Sequence, residues 1–346
     1  MDKSLQVLAE YCSTKMWRQL LARGRKMWGV SLGAGLLGGV VLALRYALRP
    51  SAKPRLPDAI SPAIFATRVF YSSRGQVVYH ESGQGSPLVF LHGVYVGASS
   101  YEWSKVYPHF AETHQVLAVD LLGFGESERP EAALSAPDHV RILAELLRAK
   151  SGGERAAIVA SGLSAGFATV LAAQHPDLIH RLILLMPTGG VDSKRRQAKR
   201  LLSGIRFVNK VYYRRYLSTR IQIRAWLKSF GFADPEKISD EVVEVLTNFA
   251  QQFGAERAIF QWMSWRYKLE LEKRLAELSQ PVTLVWGDKA VYPPLEWAYR
   301  LQPVAKQCSL VVLENTGLLA PLETPVAVAE ALARELDPTI RIFKAG

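Results

Sequence analysis

Residues Gly162-Leu163-Ser164-Ala165-Gly166 match the pattern Gly-x-Ser-x-Gly, in which a serine on a strained strand-to-helix turn attacks an acyl carbon. A serine hydroxyl needs a base to take its proton and an acid to orient that base. The chain has 7 histidines, and none follows His180. Asp192 and Asp288 lie downstream of the motif, but without a histidine they have nothing to orient. Ser164 is therefore a candidate nucleophile with no evident base. His92 opens His92-Gly93-Val94-Tyr95, a turn that can border a pocket, and reads as a structural turn residue.

The elements that hold these residues follow from apolar runs and breakers. Around the motif, Ile158-Val159 meets a cluster of tiny residues, and an Ala-rich helical stretch then stops at Pro176. The tiny residues allow strand and helix backbones to approach closely at the turn. Residues 68–71 and 77–80 pattern as a hairpin turned at 72–75. Apolar runs at 88–91, 116–119, 182–186, 282–286 and 309–313 read as strands, and 135–150 and 325–336 as helices. An amphipathic helical stretch covers 240–260. Strands alternating with helices predict an α/β fold with a parallel sheet covered on both faces.

Five motifs then fall in order: Leu91-His92-Gly93, Asp120-x-x-Gly123-Phe124-Gly125-x-Ser127, the strand–turn–helix at 156–176, Trp286-Gly287-Asp288, and Asn315-Thr316-Gly317 through Glu323-x-Pro325. Together they resemble the α/β-hydrolase superfamily over residues 67–340. The resemblance implies an eight-stranded, mostly parallel sheet with helices on both faces. It also implies a helical cap at 193–279 between core segments 67–192 and 280–346. His92, Gly93, Val94, Tyr95 and Leu163 are the implied oxyanion and pocket residues. The acid of the superfamily sits where Trp-Gly-x-x-Asp places it, which here is Ala290. The base follows Asn-x-Gly, which here is Leu318. Two registers compete for the nucleophile. The literal pattern selects Ser164. The apolar end of the strand and the count to His175-Pro176 select Gly162 and put Ser164 on the first helical turn. In the second register all three triad positions are lost, as Gly162, Ala290 and Leu318. The chain is then a pseudoenzyme that binds an apolar or amphiphilic ligand, or a partner, beneath its cap. In the first register it is an esterase or lipase using Ser164 with a non-standard base.

The remainder concerns location and partners. Residues 27–44 carry no charge, and with 45–48 they approach the roughly 20 residues that span a bilayer. We expect a single-pass membrane helix at 27–48, after a basic segment at 1–26 and before a Pro-rich linker at 49–66. Its Gly29/Gly33 and Gly35/Gly39 spacings would let two copies pack into a homo-oligomer. Both flanks are basic, with a mild bias towards a cytoplasmic N-terminus. From Lys194 to Lys228 the chain is rich in Lys and Arg with no acidic residue, and this run carries as many charges as the whole net charge of +12. Interleaved aromatics and the membrane segment point to anionic lipid, and no nucleic-acid module is present. The cysteines, Cys12 and Cys308, have no metal-ligand spacing, and we expect no disulfide, no metal and no cofactor.

Overall fold

The computed structural model describes residues 65–189, 206–263, 269–337, 339–340 and 342. Residues 1–64 lie outside this set, and with them the expected membrane helix, its Gly-x-x-x-Gly spacings and nearly all of the linker. Among the described residues no helix is long and apolar enough to cross a membrane.

Eight strands form one sheet: β1 (Ala66–Ser72), β2 (Gly75–Ser82), β3 (Ser86–Leu91), β4 (His114–Val119), β5 (Ala156–Ser161), β6 (Ile179–Leu185), β7 (Val282–Gly287) and β8 (Cys308–Leu313). Their order is β1-β2-β4-β3-β5-β6-β7-β8. β2 pairs antiparallel with β1 and β4, and every other pairing is parallel. β5 and β7 are buried at every residue, as strands covered on both faces must be. β3 has β4 on one side and β5 on the other. The C-terminal ends of β3 and β5 therefore flank the point where strand order reverses, the usual crevice for a ligand in such sheets.

Helix α1 (Ala136–Lys150) starts at Ser135, whose hydroxyl and Asp138 form a reciprocal capping box. α2 (Gly162–Gln174) follows β5 with no intervening loop. Its small residues serve close packing: a Cβ on Gly166 would lie 2.5 Å from Leu269 Cδ1 and 2.6 Å from the Thr188 carbonyl oxygen. Between β6 and β7 comes a helical insertion. Its described helices are α3 (Arg206–Tyr216), α4 (Arg220–Trp226), α5 (Asp240–Ala250), α6 (Ala255–Met263) and α7 (Leu271–Glu277), with a π-helical turn, Leu227–Gly231, after α4. The sequence reads 240–260 as one helical stretch. The chain instead breaks at 251–254, where Gly254 adopts φ +82°, a conformation that ends a helix. α8 (Glu296–Leu301), α9 (Ala320–Glu323) and α10 (Pro325–Leu336) complete the fold.

The insertion is bolted to the strand ends. Buried Glu323 accepts the N–H groups of Ala233 and Asp234 with Oε1, both at 2.8 Å, and that of Gly317 with Oε2 at 2.6 Å. Tyr101 donates its hydroxyl to Glu241 Oε1 at 2.9 Å. Gly97, at φ +83°, passes so close to α5 that a Cβ would stand 2.1 Å from the Leu246 carbonyl oxygen.

Candidate active-site region

The tight turn falls on Gly162. Ser161 ends β5 in extended conformation and Gly162 opens α2 at φ +54°, so one residue reverses the chain. A Cβ built on Gly162 would meet no atom within 4 Å, so the position has room for a side chain and carries none. Ser164 stands in the first turn of α2, fully buried, and donates its hydroxyl to the His92 carbonyl at 2.5 Å. It ties α2 to the loop after β3. His92 is equally engaged. Its Nε2 accepts the Leu121 N–H at 3.0 Å, which leaves Nδ1 as the protonated nitrogen, 2.7 Å from the Gly93 carbonyl. Burial lowers the His92 pKa, so the ring is a neutral strut between two loops.

Ala290 lies buried in the loop after β7, and Leu318 packs against the core in the loop after β8. Parallel strands bring Gly162, Ala290 and Leu318 to the same end of the sheet, and none of the three has a titratable group. Asp288 stands nearby and is used structurally. Its carboxylate receives Lys289 Nζ at 3.0 Å and the Thr316 N–H at 3.2 Å. Burial opposes ionisation of Asp288, but the Lys289 contact and the backbone donors outweigh it and hold its pKa below the usual value. This links the β7 loop to the β8 loop. In that second loop Leu319 donates its N–H to the Gly231 carbonyl at 2.8 Å.

The polar group closest in chemistry to a catalytic residue is one that sequence reasoning missed. Glu102 lies in a 3-10 turn, Ser100–Trp103, and is 1% exposed. Its Oε2 accepts the Gly93 N–H at 2.8 Å. Burial raises its carboxyl to about 6, partly offset by the nearby hydroxyl of Ser161, the Gly93 N–H and the phenol of Tyr95. Neither Glu102 Oε1 nor Ser161 Oγ makes a hydrogen bond of ordinary geometry. The only sequence cue is an acidic residue between two aromatics, Tyr101-Glu102-Trp103, in a stretch with no regular period. Tyr95 is buried, its hydroxyl held far above its ordinary pKa by burial and by Glu102. Its ring stacks on Trp226 of α4 at 5.3 Å and 19°. Val94 beside it packs half-buried against the core, and Leu163 is buried at the start of α2. Under the insertion, among Tyr95, Phe124, Arg129, Tyr213, Phe249 and Ile259, the free volume is about 10 Å³, room for about one water.

The alpha/beta hydrolase family profile matches residues 88–331. An uncharacterised protein of Mycobacterium tuberculosis is 28% identical over 270 residues, 75% of this chain and 77% of its own length. The 2-hydroxy-6-oxo-6-(2'-aminophenyl)hexa-2,4-dienoic acid hydrolase of Metapseudomonas resinovorans is 23% identical over 294 residues, 81% of this chain and 95% of that enzyme. Among solved structures, a membrane phospholipase A described as a bacterial virulence factor superposes with a TM-score of 0.64 at 20% identity, covering 93% of this chain and 96% of its own.

Proposed function

The chain belongs to the alpha/beta hydrolase family, and on that premise we propose that it keeps the scaffold without Ser-His-Asp hydrolysis. In this reading the helical insertion is a cap, and an apolar or amphiphilic molecule binds beneath it. The carrying observation is the residue at the tight turn: Gly162, at φ +54° with open space where a nucleophile would project. Leu318 at the base position and Ala290 at the acid position point the same way. Ser164 supports it too, because its hydroxyl is buried and committed to the His92 carbonyl. Nucleophile and base act as a unit, and a site lacking both keeps only the contribution of binding and oxyanion groups, about 10³–10⁴-fold over water in an intact enzyme. Tyr95, stacked on Trp226, lines the small cavity under the insertion, so in this reading a ligand larger than a water enters there only as that packing loosens.

The full-length protein, treated with a fluorophosphonate serine probe and short acyl esters, is expected to show neither labelling nor turnover. Labelling at Ser164 that Ser164→Ala removes would overturn the reading in favour of an esterase. Long-chain amphiphiles should perturb the fluorescence of Trp226, read as the difference between the native protein and Trp226→Phe; no difference across a series of amphiphiles counts against the cap-covered ligand.

Membrane attachment through residues 27–48 belongs to the same proposal. It rests on the uncharged run at 27–44, which with 45–48 approaches the length that spans a bilayer. We further propose that the basic insertion rests on anionic lipid. The observation favouring this is that Ile221 on α4 is 78% exposed and that Lys228, in the turn after α4, is exposed as well.

A further inference from the structure

Outside the strand ends already described, one cluster of ligating side chains stands out among the described residues. His80 on β2 and Asp120 and Glu126 in the loop after β4 come from positions up to 46 residues apart in the chain and meet beside the antiparallel edge of the sheet. One ligating atom from each lies within 4.8 Å of the other two. His80 is 1% exposed, and its Nε2 has no hydrogen-bond partner. Its Nδ1 is held by Thr67 Oγ1 at 3.1 Å across the β1–β2 pair. That arrangement is the one metal-binding histidines use: one ring nitrogen is anchored, which fixes the ring and presents the other. Asp120 is fully buried and pinned by two backbone donors, Ser100 N–H to Oδ1 at 2.6 Å and Glu126 N–H to Oδ2 at 2.7 Å. Each oxygen retains a second lone pair. Gly125, at φ +50°, is required there, because a Cβ would overlap the Asp120 carboxylate at 2.1 Å. Glu126 is half-buried.

We propose that His80, Asp120 and Glu126 form a divalent-cation site. One imidazole and two carboxylates suit a first-row cation such as Zn²⁺, with water completing the shell. Two acids beside a buried neutral nitrogen gain from a dication what no side chain nearby supplies in full. Arg129 is the neighbouring cation; its two terminal nitrogens are donated to the Gly125 and Ser127 carbonyls at 2.6 and 3.2 Å, and its Nε has no hydrogen-bond partner. Ligands about 2.1 Å from a tetrahedral Zn²⁺ lie roughly 3.4 Å apart, so separations of up to 4.8 Å must close by as much as about 1.4 Å, through the Glu126 side chain and a small approach of β2 and the loop. The site would brace β2 against the loop 120–128. Gly123, Phe124 and Gly125 of that loop wall the cavity under the insertion, so the ion would set that wall.

The test uses the full-length protein in detergent, stripped with chelator and titrated with Zn²⁺ by calorimetry, with Co²⁺ absorption as a coordination signature. One ion is expected at this site, with nitrogen–oxygen coordination in the Co²⁺ spectrum. His80→Gln and Glu126→Gln should each weaken binding more than tenfold. Thr67→Val, which releases the ring without removing a ligand, should weaken it about tenfold. Glu126→Gln changes a half-buried side chain and leaves the buried core intact, so an unchanged unfolding curve in chelator shows that its effect is on the ion. Zn²⁺ binding unchanged in both His80→Gln and Glu126→Gln, or no binding at micromolar Zn²⁺, would overturn the proposal.

Discussion

At the scale of single residues, the region at the strand ends is defined by what its side chains are already doing. Ser164→Ala removes a buried donor from the His92 carbonyl and should destabilise the protein by about 1–3 kcal/mol, measured by urea unfolding, with no effect on probe reactivity. Gly162→Ser places a hydroxyl in open space. It should cost about 1 kcal/mol through its left-handed backbone and should still give no fluorophosphonate labelling, since Leu318 takes no proton. Glu102 supplies a pH signature. Its carboxyl titrates at about 6 in the fold against 4.5 for the free group. In that interval the folded protein holds a proton that the unfolded chain has released. The stabilisation from this group is therefore complete below pH 4.5 and is lost as the pH rises through about 6. Chemical denaturation of native protein and Glu102→Gln across pH 4–8 should show a difference in stability that shifts by about 2 kcal/mol over this window. A flat difference would mean that Glu102 is ionised at its ordinary pKa.

At the scale of elements, the helical insertion is held by a few contacts that the strand-end loops supply. Glu323 carries three charge-assisted hydrogen bonds, two of them to the insertion. Glu323→Ala leaves three backbone N–H groups without their acceptor and should cost about 3 kcal/mol or more. It should also expose residues 206–263 to limited proteolysis before the sheet is cut. Gly97→Ala drives a methyl group onto the Leu246 carbonyl and strains a left-handed residue, and should destabilise by about 2 kcal/mol. The helices on either side of the sheet were legible in the chain, because Ser135 with Asp138, Pro176 and Pro325 mark their ends locally. The break at 251–254 was not, because apolar residues keep helical spacing on both sides of it and only Gly254 signals the turn. Glu323 and Glu102 were also not legible as clamps, since their partners at 233–234, 317 and 93 are distant in sequence or carry only backbone groups.

At the scale of the whole molecule, charge decides the next test. Two cations of the basic run, Arg220 and Arg224, are spent on Asp240, while Arg215 and Lys228 remain exposed. Protein lacking residues 27–48 should still float with anionic vesicles and should release as salt is raised from 50 to 500 mM, because surface attraction is screened within about a Debye length. Equal binding to neutral vesicles would remove the electrostatic part of the proposal. The intact chain should resist extraction from membranes by salt and alkali, and deletion of 27–48 should abolish that resistance.

The chain by itself determined the architecture and the residue types at positions 290 and 318. Period-2 and period-3.6 patterns are local, motif order survives divergence, and the presence of leucine at 318 and alanine at 290 can be read from a string of letters. Where the tight turn falls belongs to the tertiary structure. Backbone dihedrals depend on how β5 meets α2, and they place the left-handed residue at Gly162 and Ser164 beneath the His92 carbonyl. The same holds for Glu102 beside Gly93 and for His80 facing Asp120 and Glu126. No short-range pattern announces such neighbours, because sheet pairing and loop closure bring together residues that the sequence keeps apart.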